Sequence, residues 1–246
     1  MVSLKLKVVG YWGAYPEPDS ATSCYIVSDN TSKIVIDMGS GSLSKLMKYE
    51  NINKINDVII SHFHYDHFVD VYPLQFNSMI QQDIGNRKDP VKIYTPYDPL
   101  YSEAMNYKTF TKNIFYNQGS VFNINGFITT FLKTNHVIDS YAVKLEKSGK
   151  TLVYTSDTAW SDELVEFSKN ADLLISEASL FDEMKGKVEG HLTASEAGKL
   201  AYLANVKKLL LTHFPHFGVI ELLKKQASKY YKKEIILAEE NLTIEL

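Results

Sequence analysis

The sequence predicts an α/β fold with two mixed β-sheets and helices outside them, and three observations predict it. Short β-branched runs recur through the first half of the chain, further strands crowd together between residues 121 and 155, and helix then alternates with strand. Hydrophobic residues make up 45% of the 246 residues and charged residues 22%, as in an ordinary globular protein. We therefore expect one large layered domain over residues 1–246.

The first half of the chain combines isolated strands with two helical patterns. A helical pattern follows the third strand at Leu43, Leu46 and Met47, and residues 68–80 also read as a helix, with a bend expected at Pro73. We expect a cap-like elaboration around residues 70–120, because the pattern after residue 95 is aromatic and rich in turns. The predicted strands cover residues 4–9, 25–27, 34–37, 58–60 and 91–94.

The second half of the chain begins with strands and then alternates helix with strand. The tetrapeptide KSGK predicts a hairpin turn between two strands. Ser161 is expected to begin one helix, and Thr193 with Glu196 forms a capping box that begins the next. A last helix is predicted over residues 219–230. The predicted strands cover residues 121–124, 127–134, 141–146, 151–155, 172–176, 207–213 and 235–237.

Composition excludes two kinds of site and gives weak evidence against one class of partner. The net charge of −3 provides no field that attracts a polyanion, and Arg87 is the only arginine beside 25 lysines, which disfavours a large nucleic-acid partner. A genomic preference for lysine codons explains the scarcity of arginine equally well. The only cysteine, Cys24, excludes an internal disulfide and a thiolate metal cage, and we expect it to be buried. No apolar run is long enough to span a membrane, so we expect no membrane partner and a cytoplasmic location.

Residues 61–68, SHFHYDHF, concentrate metal-binding side chains between a buried strand and a helix. In the extended part, His62 and His64 project to the same side because strand side chains alternate. After the chain turns, Asp66 and His67 can point to a neighbouring position. This arrangement would let one loop supply two ligands to each of two adjacent metal ions.

The segment HFHYDH resembles the H-x-H-x-D-H signature of the metallo-β-lactamase superfamily. The resemblance covers essentially the whole chain and implies an αββα four-layer sandwich with a dinuclear metal site between its sheets. It also implies that the third histidine of site one is His136, that the bridging aspartate is Asp157, and that the last histidine of site two is His213. The implied metal ligands are His62, His64, Asp66, His67, His136, Asp157 and His213.

The ligand set indicates which metals and which chemistry to expect. Five imidazoles and two carboxylates without a thiolate suit two zinc ions, and also manganese or iron. Two such cations can share a hydroxide and stabilise negative charge on a phosphoryl or acyl oxygen, which favours hydrolysis. We expect Asp37 to orient a ligand histidine through a hydrogen bond, without binding the metal itself.

Two further residues resemble the tRNase Z branch of the superfamily and related phosphodiesterases. In that branch a glutamate and a histidine act as a pair beside the metals, and the matching residues here are Glu177 and His191. We expect His191, oriented by Glu177, to stabilise or protonate the departing alkoxide. Catalysis is thus assigned to His191, Glu177 and Asp66, the last of which is also a predicted ligand. His216 is expected to be structural or to line the rim.

The chain departs from tRNase Z where that branch binds tRNA. His136 and Asp157 are only 21 residues apart, which leaves room for a hairpin but not for the protruding arm of that branch. The N-terminal loop carries Glu17 and Asp19 where basic residues are usual, and no arginine closely follows His213. We therefore expect a small phosphodiester substrate, such as a cyclic nucleotide or a short oligonucleotide, and not tRNA.

An aromatic side chain of the cap region is one candidate for stacking a base, although such residues more often pack the cap. The aromatic residues concerned are Tyr94, Tyr97, Tyr101, Tyr107, Phe110, Phe115 and Tyr116.

Two other functions remain open from the sequence. One is an acyl, thioester or lactone hydrolase on the same metal centre, and the other is a non-enzymatic, metal-bearing binding module. Glu177 and His191 argue against the first, and the full ligand set argues against the second. The physiological substrate, the metal loaded in the cell and the oligomeric state stay open, although relatives in the family often pair as homodimers.

Overall fold

The structure, a computed structural model, describes residues 4–246 and consists of two compact units. The first unit contains the chain up to Asn117 together with Glu240–Glu245, and the second contains Gln118–Glu239. Residues 240–245 therefore belong to the same unit as residues 4–117.

The first unit contains a seven-stranded mixed sheet in the order β14-β1-β2-β3-β4-β5-β6. Strands β14 and β1 to β3 pair antiparallel, whereas β3 to β6 pair parallel. Its strands are β1 Lys5–Gly10, β2 Cys24–Ser28, β3 Lys33–Ile36, β4 Asp57–Ile59, β5 Val91–Thr95, β6 Thr111–Phe115 and β14 Thr243–Glu245. Its helices are α1 Ser42–Tyr49, α2 Tyr65–Phe68 and α3 Val71–Asp83.

The central strands of the first unit are buried because parallel sheets are covered on both faces. Every residue of β4 is buried, and Val58 packs in one apolar cluster with Leu46 of α1 and Leu74 of α3. Asp70, the residue before α3, accepts a hydrogen bond at 2.8 Å from the backbone N–H of Leu43, which ties the start of α1 to the start of α3. This contact holds one end of the segment between β4 and α3, which contains α2.

The second unit contains another seven-stranded mixed sheet, in the order β13-β12-β11-β10-β9-β8-β7. Strands β7 to β10 pair antiparallel, and β10 to β13 pair parallel. Its strands are β7 Val121–Ile124, β8 Phe127–Lys133, β9 Tyr141–Lys147, β10 Lys150–Tyr154, β11 Leu173–Glu177, β12 Lys208–Thr212 and β13 Glu234–Leu237. Its helices are α4 Asp162–Phe167, α5 Ala194–Leu203 and α6 Ile220–Ala227.

Local sequence signals begin the helices and turns of the second unit where the sequence predicts them. The Ser161 hydroxyl accepts a hydrogen bond from the backbone N–H of Leu164 and caps α4. Thr193 and Glu196 form the capping box of α5. Ser148 and Gly149 have positive φ angles of 54° and 73° and make the hairpin turn between β9 and β10.

Two short strands and one helix start differ from the sequence prediction. Strands β6 and β14 were not predicted; β6 lies within the stretch assigned to the cap and pairs with β5 in the sheet. The expected bend at Pro73 is wrong, because α3 begins at Val71 and Pro73 therefore occupies its first turn, where the missing N–H has little cost. A cap-like role for the rest of residues 70–120 and a single domain over residues 1–246 stay predictions.

Candidate metal centre

In each unit, the candidate residues lie close together because the strands that precede them end at the same edge of the sheet. In the first unit, parallel β3 and β4 end at one edge of the sheet, where Asp37 and the segment beginning at Ser61 follow them. In the second unit, β8 runs in the same direction as β10, β11 and β12, so His136, Asp157 and His213 all follow strands that end at the same edge. These ends of parallel strands are where open α/β sheets place their ligands.

The first unit brings its four predicted ligands together around α2. The Nε2 atom of His62 lies 3.2 Å from Nδ1 of His64, and the Nε2 atom of His67 lies 3.6 Å from Oδ2 of Asp66. His62, Asp66 and His67 are buried, whereas His64 is partly exposed. Asp66 is fixed by the backbone N–H of Ala14, which donates a hydrogen bond to Oδ2 at 2.7 Å.

Asp37 is a fully buried carboxylate that orients the histidines of the first unit. It accepts hydrogen bonds from the Ser61 backbone N–H at 2.7 Å, from the Ser61 hydroxyl at 2.9 Å and from Nδ1 of His67 at 2.7 Å. Because the Ser61 hydroxyl donates to Asp37, it accepts at 3.1 Å from Nδ1 of His62. The Nε2 atoms of both histidines are then left with lone pairs. The expected hydrogen bond between Asp37 and a predicted ligand histidine is therefore present, with His67 as the donor.

The second unit brings His136, Asp157 and His213 together, with Asp157 between the two histidines. Its Oδ2 atom lies 3.9 Å from Nε2 of His136, and its Oδ1 atom lies 3.4 Å from Nε2 of His213. The two histidines therefore face different oxygens of one carboxylate. Asp157 could therefore help to hold a divalent cation beside either histidine.

Hydrogen bonds also fix the tautomers of the histidines in the second unit. Nδ1 of His136 donates to the backbone carbonyl of Gly190 at 2.8 Å, so its lone pair lies on Nε2. Burial lowers the pKa of His136, which favours the neutral imidazole that metal binding requires. Nδ1 of His213 lies 2.8 Å from the Ser179 hydroxyl, which donates its own hydrogen to Glu177 at 2.5 Å and therefore accepts from His213.

Glu177 and His191 form the predicted pair. Nδ1 of His191 lies 3.2 Å and 3.1 Å from the two carboxylate oxygens of Glu177. Glu177 is buried and also accepts from the backbone N–H of Thr158 at 2.6 Å. His191 is partly exposed, and atoms of His191, Asp157 and His213 all lie within 4.8 Å of one another. The pair therefore lies beside two of the predicted metal ligands.

The predicted ligands of each unit have the donor atoms and the spacing that divalent cations require. Two ligands of a tetrahedral zinc ion, each about 2.0–2.1 Å from the metal, lie roughly 3.3 Å apart. The separations of 3.2 Å between His62 and His64 and 3.4 Å between His213 and Asp157 are close to that value. Imidazole nitrogens and carboxylate oxygens without a thiolate suit zinc, manganese or iron.

Several residues that position the side chains of these sites belong to no sequence motif. Ser61, Ser179 and Gly190 contact predicted ligand histidines or the predicted catalytic glutamate, yet a serine hydroxyl or a glycine carbonyl gives no signal in the sequence. Ser61 was detectable only as the residue that precedes the histidine motif. Cys24 is buried as predicted, and His216 is partly exposed.

Comparison with known proteins identifies the family. Residues 33–214 match the model described as "Beta-lactamase superfamily domain", so the chain belongs to the beta-lactamase superfamily. The chain is 37% identical over 236 residues to "Probable metallo-hydrolase YhfI" of Bacillus subtilis, with 96% of this chain and 97% of that protein covered. By sequence it therefore groups with the metallo-hydrolases of the superfamily.

Solved structures agree with this assignment. The crystal structure of YhfI, described as a metallo-beta-lactamase fold protein, matches with a TM-score of 0.97 and 36% identity over 99% of this chain and 100% of that one. Human tRNase Z, short form, matches with a TM-score of 0.77 and 23% identity over 98% of each chain, which shows the shared fold. The predicted fold class is confirmed.

A more distant relative carries a nuclease name. Ribonuclease Z of Methanosarcina acetivorans is 26% identical over 99% of this chain and 98% of that protein. This match confirms the predicted likeness to the tRNase Z branch. Within residues 4–246, no helix combines the length and the apolar character that crossing a bilayer would require.

Proposed function

We propose that this protein is a metal-dependent phosphodiesterase that hydrolyses a small phosphodiester, such as a cyclic nucleotide or a short oligonucleotide, in the cytoplasm. The observation that carries the proposal is the contact between His191 and Glu177 beside Asp157 and His213. A proton donor held by a carboxylate next to metal ligands suits the departure of an alkoxide. The similarity to proteins named ribonuclease Z supports the same reaction class.

The proposed cofactor is a pair of divalent cations, with zinc preferred and manganese or iron as alternatives. The proposed ligands are the four side chains of the first unit and the three of the second, the assignment that the motif resemblance implies. When bound, such a pair supplies the Lewis acidity that activates water and offsets negative charge on a phosphoryl oxygen.

The residues of the chain then have separate tasks. Asp37 and Ser61 hold His62 and His67 in the tautomer that presents Nε2. Glu177 accepts from Nδ1 of His191, so that the opposite nitrogen is the one placed to give a proton to the leaving oxygen.

A substrate panel tests the reaction class. Metal-loaded protein is assayed with bis(p-nitrophenyl) phosphate, cyclic nucleotides, a lactone and a thioester. Turnover of the phosphodiesters supports the proposal, whereas turnover of the lactone or the thioester alone would assign an acyl hydrolase. If metal-loaded protein turns over none of these substrates, a binding module is the better description.

Replacement of His191 tests the assignment of the proton donor. We expect His191→Ala to lower kcat by about 10²–10⁴-fold, the usual contribution of a general acid, with the metal content unchanged. The loss should be smaller with p-nitrophenyl esters, because their leaving group needs little protonation. Loss of bound metal in His191→Ala would instead make this histidine a ligand. His216→Ala, a partly exposed histidine outside the predicted set, is the matched control.

A further inference from the structure

A cavity of about 650 Å³ in the second unit contains both His136 and the proposed acid His191. Its volume lies in the range of small-molecule sites. Trp160 lines the same cavity and, among the described residues, is its only aromatic side chain other than these histidines. We propose that Trp160 stacks the base of the substrate, which makes that substrate a mononucleotide phosphodiester. This inference rests on the proposed function and extends it to the choice of substrate.

Trp160 is held in place by its surroundings. Its backbone carbonyl accepts a hydrogen bond at 3.1 Å from the side-chain amide of Asn135, the residue before His136. The backbone N–H of Ala159 donates to the Asn135 carbonyl at 2.7 Å, and the indole N–H donates to Asp162 at 3.2 Å. A ring fixed before the ligand arrives loses little conformational entropy on binding.

Trp160 is partly exposed and lines the cavity. The ammonium group of Lys199 lies 4.7 Å from the ring centroid and covers one face. An aromatic ring of this kind stacks well on a planar partner. A nucleobase provides such a partner, and stacking on an aromatic ring tolerates any base.

The charges that line the cavity favour a substrate with a single phosphodiester group over a longer nucleic-acid chain. The charged side chains that line it are Lys185, Glu189 and Glu196, so acids outnumber bases. Lys185 is paired with Glu196 at 2.9 Å. Because a polyanion gains affinity by neutralising successive phosphates with cationic groups, this lining offers little to a second or third phosphate.

Two of the aromatic residues that the sequence suggested for stacking are buried and make hydrogen bonds within the first unit. Tyr94 is buried and its hydroxyl donates to Asp57 at 3.1 Å. Tyr116 is buried and donates to the backbone carbonyl of Ile60 at 2.7 Å. Both serve the packing of the first unit, whereas Trp160 lines a cavity with a predicted ligand and the predicted acid.

Two substrates with the same leaving group test the inference. Thymidine 5′-(4-nitrophenyl phosphate) and methyl 4-nitrophenyl phosphate both release 4-nitrophenol and differ in the nucleoside. In Trp160→Ala we expect the ratio of kcat/KM for the nucleoside ester to that for the methyl ester to fall by about 5- to 150-fold, the range of one base stack. Trp160→Phe should retain much of the ratio. Tyr202→Ala, an exposed aromatic residue on α5, is the control and should leave the ratio unchanged.

Fluorescence gives a second readout that needs no turnover. Trp12 and Trp160 are the only tryptophans, so Trp12→Phe leaves Trp160 as the single indole. Adenosine 5′-monophosphate should quench its emission saturably in the metal-loaded protein, whereas ribose 5-phosphate at the same concentration should not.

The outcomes separate the two proposals. An unchanged ratio in Trp160→Ala, or absence of quenching by the nucleotide, overturns the role of Trp160. If the unaltered protein hydrolyses neither of these esters and none of the phosphodiesters in the substrate panel, the proposed function fails, and the fluorescence titration still decides whether the cavity binds a base.

Discussion

Asp37 shows how much of this site depends on one residue that is not expected to touch a metal. It follows β3 in the left-handed region, with φ of 58°, which is uncommon for a residue other than glycine. From this position its carboxylate accepts from Ser61 and from His67, and through Ser61 it also sets the tautomer of His62.

Replacing Asp37 with Asn should weaken zinc binding by about 10- to 100-fold, the usual effect of losing an outer partner of a ligand histidine. The amide has one oxygen acceptor instead of two, so it cannot accept all three hydrogen bonds at their present positions. Affinity is measured by competition with a chromophoric chelator. Asp172→Asn, a buried aspartate of the second unit, is the control, and equal affinities in the two variants would contradict the role of Asp37.

Gly190 is required by its contact with His136. A Cβ atom at this position would lie 2.6 Å from Nδ1 of His136, and φ is 78°. We expect Gly190→Ala to displace the imidazole and weaken zinc binding by about tenfold or more. Gly186→Ala is a matched control, because Gly186 has φ of 75° but nothing within 4 Å of its Cβ position.

Each of these glycine variants should lose roughly 1 kcal/mol of stability to backbone strain. Urea denaturation measures that loss, and the chelator competition measures zinc affinity. A similar loss of zinc affinity in both variants would show that strain, and not the contact with His136, is responsible.

The sequence points to the candidate ligands but not to the groups that orient them. Histidine and aspartate at H-x-H-x-D-H spacing are recognisable because few other roles need that density of imidazole. The carbonyl of Gly190 and the hydroxyl of Ser179 act through positions that only folding defines, 54 and 34 residues from the histidines that they contact. Such contacts have no local pattern.

At the scale of elements, the two edge strands of the first unit escaped prediction. Strand β14 has three residues and pairs with β1 at Lys5↔Glu245, so its partner lies at the other end of the chain. Strand β6 reads Thr-Lys-Asn-Ile-Phe, with two polar residues at its centre. Central strands were clear because parallel strands are buried on both faces and carry continuous apolar runs.

Asp172 fixes the start of β11 against its neighbours. It is buried and accepts from Lys207 at 2.7 Å and from the backbone N–H of Thr151 at 2.9 Å. Burial alone would raise the pKa of Asp172, but the hydrogen bonds from Lys207 and Thr151 outweigh it and lower the pKa below its ordinary value. The charged form is therefore favoured by folding.

Asp172→Asn should lower the free energy of unfolding by about 1–3 kcal/mol at pH 7, the usual value for hydrogen bonds to a charged group. Because the pKa is lowered in the folded state, this stabilisation is complete above the unfolded pKa of about 4 and is lost as the pH falls through the folded pKa. Urea denaturation of metal-free protein at several pH values measures the difference. A difference that stays constant below pH 4 would contradict the assignment.

At the scale of the whole molecule, each unit buries carboxylates among histidines. Asp66 in the first unit and Asp157 with Glu177 in the second are all buried. Buried charge is costly unless it is paired or binds a metal, so these groups favour cation binding by the folded chain. The unfolded chain holds no such arrangement, and metal binding is therefore linked to folding.

Removal of the metals should destabilise the protein as a whole. A ligand present at 100 times its Kd stabilises the folded state by about 2.7 kcal/mol, which corresponds to a Tm shift of roughly 5–11 °C for a chain of this size. We expect a chelator to lower Tm by at least this amount and zinc to restore it, measured by scanning calorimetry with metal content determined on the same samples. His213→Ala removes one predicted ligand, so the chelator should lower its Tm by less. The chelator should lower the Tm of His216→Ala by as much as that of the unaltered protein. Equal Tm values with and without chelator, in protein shown to contain metal, would mean that the cations do not contribute to the folded state.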